Sequence, residues 1–175
     1  SVLTTLLVAA HAETAEQRTL ASKSAIEAIE RLKKARSDES QPAQFTLASF
    51  FHALELRVQE TSREFQVSTS RINDLPISSQ VAQALTEATL QAVDNSLKHA
   101  GQVSERAVRL RGQGSGLKIV VSDNGRGFRP SQVPKDRIGI SSSIVARVTN
   151  VGGRVFINSS PGAGTSVVIE WSQVD

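Results

Sequence analysis

The sequence predicts an α+β fold preceded by a helical hairpin. Three observations carry this expectation. Residues 85–101 (LTEATLQAVDNSLKHAG) repeat apolar side chains at helical spacing, and Leu85, Ala88, Leu90, Ala92, Val93 and Leu97 form a face broad enough to lie on a sheet. Downstream stand two pairs of short alternating segments, each joined by a glycine-bearing turn, as in β-hairpins. Upstream, residues 1–36 carry two helical patterns and no strand pattern.

The composition bounds the function classes. The chain has 175 residues, with 39% hydrophobic and 21% charged residues, as in an ordinary globular domain. Its formal charge of +3 is too mild to argue for nucleic acid, and no nucleic-acid partner is expected. There is no cysteine, hence no disulfide framework and no cysteine metal site. No apolar run approaches the roughly 18 residues that cross a bilayer. There is also no methionine. The expectation is therefore a piece of a longer protein, itself on the cytoplasmic side.

Residues 1–12 and 13–36 read as two helices closed into an antiparallel hairpin, with Glu30 and Lys34 paired on the wet side. Their narrow apolar faces suit dimerisation through a bundle as well as packing within one chain. Residues 37–44 (SDESQPAQ) read as a linker, so the domains expected are 1–36, 37–44 and 45–175. Residues 46–60 are helical, with His52 expected to pack in the apolar stretch. Residues 64–70 alternate as a strand. Residues 73–77 read as a turn closed by Pro76, and Ser78 or Ser79 caps the long helix. Gly101 ends that helix. Strands follow at 107–111, where Val108 and Leu110 alternate with arginines, and at 117–122, with 112–116 as their loop. A polar loop covers 129–137, a helix 138–151, and strands 155–158 and 167–171 flank the turn 159–165.

Three motifs carry the chemistry. Gln91, Asn95, Lys98 and His99 share a helical face, with Glu87 one turn earlier. On its own this is most simply a core helix with a wet stripe. Asp123-Asn124-Gly125-Arg126-Gly127-Phe128 follows a buried strand, and Gly162-Ala163-Gly164-Thr165 precedes the last one. Each is also an ordinary turn signal. However, the first does not lead into another alternating strand. It enters a loop that exits at Gly139, and glycines at both ends allow movement or close approach of backbone to a ligand. Neither the P-loop nor the Rossmann glycine pattern is present.

Together these residues resemble the ATP-binding domain shared by sensor histidine kinases, gyrase B, Hsp90 and MutL, over about residues 45–171. Residues 95–100 (NSLKHA) look like the N box, and 123–128 (DNGRGF) like the D-x-G-x-G box. Gly139 fits the glycine closing the nucleotide lid, and 162–165 fit the final G-x-G-T. The short lid is most similar to compact histidine kinases related to nitrate and desiccation-type sensors. The resemblance implies a two-layer α/β sandwich, with a mixed sheet covered by helices on one face. It implies ATP and Mg2+ as ligands, a response regulator as partner, a homodimer through the N-terminal helices, and a parent protein in the cell membrane. Asp123 would accept from the adenine amino group, supported by Thr165 and Gly164. Asn95 would hold Mg2+, and Lys98 and His99 would face phosphate. Gly125, Gly127, Phe128 and Gly139 would shape the lid. Val121, Ile138, Ile140 and Ile169 would be walls of the adenine slot or simply core.

Two departures stand out. The family commonly has Glu four residues before the N-box Asn, where this chain has Gln91, and an amide is no general base at neutral pH. The chain also has three histidines, His11, His52 and His99, and none sits in an acceptor motif. The acceptor histidine is expected just before Ser1. An ATP-binding regulatory module without kinase activity and an anti-sigma-type serine kinase are the alternatives; the N-terminal hairpin argues against the latter.

Overall fold

The structure, a computed structural model, describes residues 44–129 and 139–173, with side chains of the second segment described from Ser143 onward. The expected hairpin, most of the linker, the loop 130–137, Ile138 and the side chain of Ile140 lie outside the described residues.

Strand β1 (Gln44–Thr46) leads directly into helix α1 (Leu47–Thr61). Thr46 is its N-cap, its side-chain oxygen accepting from the Ser49 N–H at 3.1 Å. The inward stripe is Leu47, Phe50, Phe51, Leu54 and Val58. His52 stands outside that stripe and is exposed, which corrects the expectation of a packing histidine. One residue is a 100° step around a helix, so His52 is turned away from the seam that Phe51 occupies.

Strand β2 (Gln66–Ser70) follows, then β3 (Pro76–Ser78). Residues 76–77, expected in a turn, instead pair with β1 in register Phe45↔Ile77, and Ile77 is fully buried. Ser78 then caps helix α2 (Ser79–His99), its hydroxyl accepting from the Val81 N–H at 3.3 Å. Leu85, Ala88, Ala92 and Val93 are buried along α2, with Leu90 and Leu97 packed beside the core. Thr89, also buried, donates its hydroxyl to the Leu85 carbonyl at 2.7 Å and so carries no unpaired polar atom. Lys98 and His99 occupy the last turn, where cations complement the helix dipole. Gly101 takes φ +78°, as the residue after a C-cap commonly does.

Strands β4 (Arg106–Gln113) and β5 (Gly116–Asp123) form a hairpin whose register brings Gln113 opposite Gly116, so the turn is shorter than expected. Helix α3 (Gly139–Thr149) and strands β6 (Arg154–Ser159) and β7 (Thr165–Ser172) complete the chain. The main sheet has the order β2-β4-β5-β7-β6. Only β2 and β4 are parallel; the rest pair antiparallel. A parallel pair needs a long crossover, and α2 is that crossover.

The fold is the expected mixed sheet with helices on one face. Val108, Leu110, Ile119, Val121, Val167 and Ile169 alternate inward and pack beneath the helices. The other face shows Arg109, Arg111 and Phe156 to solvent. Among the described residues no helix is long and apolar enough to cross a membrane.

Candidate functional site

The site forms where the end of β5, the end of α2 and the β6–β7 turn converge. Antiparallel register sets Asp123 opposite Thr165, and Thr165 opposite Ser159. These three polar residues continue the inward-facing row of Val121, Val167 and Ile157 by one step of the pleat. An open cleft of about 490 Å³ is lined there by Asp123, Ile157, Ser159, Gly164 and Thr165 among others.

Asp123 is held by its own loop. Its Oδ1 accepts from the Gly125 N–H at 3.0 Å and from the Thr165 N–H at 3.3 Å. Its other oxygen has no partner among the described residues. Gly164, at φ +76°, lies against the Asp123 backbone so closely that a Cβ would overlap the Asp123 carbonyl oxygen. Only glycine satisfies both demands. Gly125 is pressed likewise on the Ala100 carbonyl oxygen at the end of α2. The Arg126 N–H donates to that same oxygen at 2.9 Å. The D-N-G-R-G-F segment is thereby fixed to the helix bearing Asn95.

Other contacts tie the same loop. Asn124 Oδ1 accepts from the Ser104 and Glu105 N–H groups at 3.2 and 3.1 Å, which anchors the chain entering β4. The Gly162 N–H donates to the Arg126 carbonyl at 2.7 Å, and the Phe128 N–H donates to Ser159 Oγ at 2.9 Å. Gly127 takes φ +57° beneath the turn at Ser160. Asp123, Gly125, Gly127, Phe128, Gly164 and Thr165, chosen from the sequence, are thus in one assembly.

Residues 80–174 match the family described as histidine kinase-, DNA gyrase B- and HSP90-like ATPases. The chain belongs to this ATPase family. An uncharacterised sensor-like histidine kinase of Chloroflexus aurantiacus is 31% identical over 137 residues, 75% of this chain and 22% of that protein. The sensor histidine kinase LiaS of Bacillus subtilis is 31% identical over 99 residues, 57% of this chain and 27% of that protein. The chain therefore spans about a quarter of the length of these curated relatives. The histidine kinase domain of the Erythrobacter litoralis EL346 blue-light activated kinase shares the fold with a TM-score of 0.56. It is 20% identical, over 70% of this chain and 60% of that one. The mycobacterial sensor histidine kinase MprB shares it with a TM-score of 0.54 at 17% identity, over 75% of this chain and 97% of that one.

On α2 of this ATPase domain the remaining site candidates differ in their engagement. Asn95 is half-buried, and nothing among the described residues hydrogen-bonds its side chain. Lys98 donates to Asp94 Oδ2 at 2.7 Å in an exposed i,i+4 pair. His99 is exposed beside it. Gln91 faces α3, where its Oε1 accepts from Arg147 Nη1 at 2.6 Å and from Ser143 Oγ at 2.9 Å. Arg147 also pairs through Nε with Glu87 at 3.1 Å. Gln91 is thus part of a tie between α2 and α3, the helix that Gly139 begins. Replacing Arg147 by Ala is expected to cost about 1 kcal/mol in urea denaturation, because the pair to Glu87 is exposed while the Gln91 bond is half-buried. Of the slot candidates, Val121 and Ile169 lie in the core at 3% and 0% exposure.

Arg106, Arg147 and Ser159 stand outside the sequence motifs, and Asn124 lies in one without an assigned role. Arg106 is 7% exposed. It donates to Ser96 Oγ and to the Gly101 carbonyl, both at 3.3 Å, and pairs with Glu64. A signal for it existed: Arg106 is in phase with Val108 and Leu110, which point inward along β4.

Proposed function

We propose that this ATPase-family domain is the ATP-binding catalytic part of a sensor histidine kinase. It serves transfer of the γ-phosphate of ATP to a histidine outside these residues, and from there to a response regulator. The observation that carries the reading is the state of Asp123. Two backbone N–H groups hold one of its oxygens, leaving the other as a fixed acceptor at the cleft. An exocyclic amine such as that of adenine matches it, and a carbonyl in the same place meets repulsion.

Asn95 fits a Mg2+ role by its donor chemistry. It offers a neutral oxygen on a half-buried side chain that no described residue hydrogen-bonds. Such a setting suits an ion held mostly by phosphate oxygens and water. When bound, Mg2+ supplies charge neutralisation for the triphosphate. Lys98 adds a cation, since its exposed pair with Asp94 is weak enough to be exchanged for phosphate. The domain's contribution is positioning and electrostatics. Gln91, engaged by Arg147 and Ser143, is no proton acceptor, so a base in this reading comes from elsewhere. The reading further assigns residues 1–36 to a dimerisation hairpin, 37–44 to a linker, and the parent protein to the cell membrane.

Calorimetric titration of the chain with ADP and a non-hydrolysable ATP analogue tests this. Binding of both is expected, with Mg2+ tightening the triphosphate by roughly tenfold in wild type and not in Asn95→Ala. No binding at millimolar nucleotide overturns the reading. In a longer chain that includes the preceding residues, phosphohistidine formation separates a kinase from a regulatory ATP-binding module.

A further inference from the structure

We infer that Ser159 is a specificity-determining positioning residue, which fixes the Thr165 hydroxyl as a pure hydrogen-bond acceptor toward the cleft. The inference deepens the nucleotide reading above and rests on it. A serine hydroxyl has one donor and two acceptor positions. At Ser159 all three are allotted. Its Oγ donates to the Gly164 carbonyl at 2.9 Å, an oxygen that has no hydrogen to give. It accepts from the Phe128 N–H at 2.9 Å. Its third contact is Thr165 Oγ1, again at 2.9 Å. With its single hydrogen on Gly164, Ser159 can only accept there, so the Thr165 hydroxyl donates.

The consequence passes along the rung. Thr165 Oγ1 has given its hydrogen to Ser159 and keeps only lone pairs for a ligand. Asp123, opposite it in register, presents a carboxylate oxygen that is likewise an acceptor. Where Asp123 and Thr165 meet the cleft they therefore present two adjacent acceptors, the serine hydroxyls of Ser122, Ser160 and Ser166 lining it elsewhere. A purine carrying a 6-amino group brings two donors to such an edge. A 6-oxo purine brings a carbonyl, and neither oxygen can answer it. Asp123 selects by its charge, and Thr165 selects only because Ser159 dictates which way its hydrogen points. Without Ser159 the Thr165 hydroxyl is free to rotate and donate to a carbonyl.

ADP and inosine diphosphate differ at this edge, with an amino group in one and an oxo group in the other, and calorimetry on the 175-residue chain gives the ratio of their dissociation constants. Ser159→Ala is expected to narrow the wild-type preference for ADP by roughly three- to tenfold, mainly through tighter inosine diphosphate binding. Ser159→Thr, which retains the hydroxyl, is expected to keep the wild-type ratio. Thr165→Val is expected to narrow the ratio alone, and Ser159→Ala added to it is expected to change the ratio no further. Equal weakening of both nucleotides by Ser159→Ala, or a further change of ratio in the Thr165→Val background, overturns the inference while leaving the nucleotide reading intact. Should Ser159→Ala fail to fold, an unchanged ratio in Thr165→Val overturns it. A wild-type chain that binds neither nucleotide overturns both.

Discussion

Asp123→Asn is expected to weaken ADP binding by about a hundredfold or more while leaving the fold in place. The asparagine carbonyl can keep the two backbone hydrogen bonds that Oδ1 now accepts from Gly125 and Thr165. Its NH2 group then stands where the free carboxylate oxygen stood, and a donor faces the donor of the ligand. Because the loop retains its internal bonds, the melting temperature should move little. Titration calorimetry and thermal unfolding on the same preparation check both halves. An affinity within tenfold of wild type would remove Asp123 from the base-recognition role. A large fall in melting temperature would instead make it a scaffold residue.

The largest stability effect is expected at Arg106. Replacing it by Met keeps much of the buried volume but leaves the Ser96 hydroxyl and the Gly101 carbonyl without their donor. One buried hydroxyl and one half-buried carbonyl left unpaired cost about 2 kcal/mol in unfolding free energy. The pair with Glu64 adds little, because that carboxylate is 62% exposed and water takes the place of the guanidinium. Glu64→Gln should therefore cost less than about 1 kcal/mol. Urea denaturation at unchanged slope reads both values. An Arg106→Met chain within 0.5 kcal/mol of wild type, a threshold near the usual ceiling for ordinary surface substitutions, would show that solvent already reaches those groups. The same substitution loosens the end of α2, where Lys98 and His99 sit, so nucleotide affinity is expected to fall with stability.

The helix α2 was legible in the sequence because its apolar period is long and Ser78 caps it. The hairpin β4–β5 was legible because Val108 and Leu110 alternate and the glycine-rich stretch 112–116 follows, although the turn itself is shorter than that stretch. Strand β3 was not, since three residues carry too little period, and Pro76 reads as a turn unless its partner β1 is known. The parallel pairing of β2 with β4 is likewise a property of the crossover and not of either strand. Within the site, the glycines and Asp123 were visible because close backbone approach leaves a residue-type signature. Ser159 was hidden inside a stretch (SSPGAG) that any tight turn would use. The Gln91–Arg147 contact joins residues 56 apart, and no local pattern records it. His52 shows the opposite error, where apolar neighbours suggested burial and the helical angle denied it.

The place of β7 in the sheet bears on how the protein assembles. It follows the other strands in the chain, yet it lies between β5 and β6. Until it inserts, both of those strands show bare edges, and such edges invite pairing with other molecules. Closing the gap brings together residues as distant as Gly116 and Ser172, a non-local step of the kind that slows folding. Thr165 arrives with the same strand. Maturation of the sheet and competence for ligand are thus one event, and a partly folded chain has no half-working version of the site.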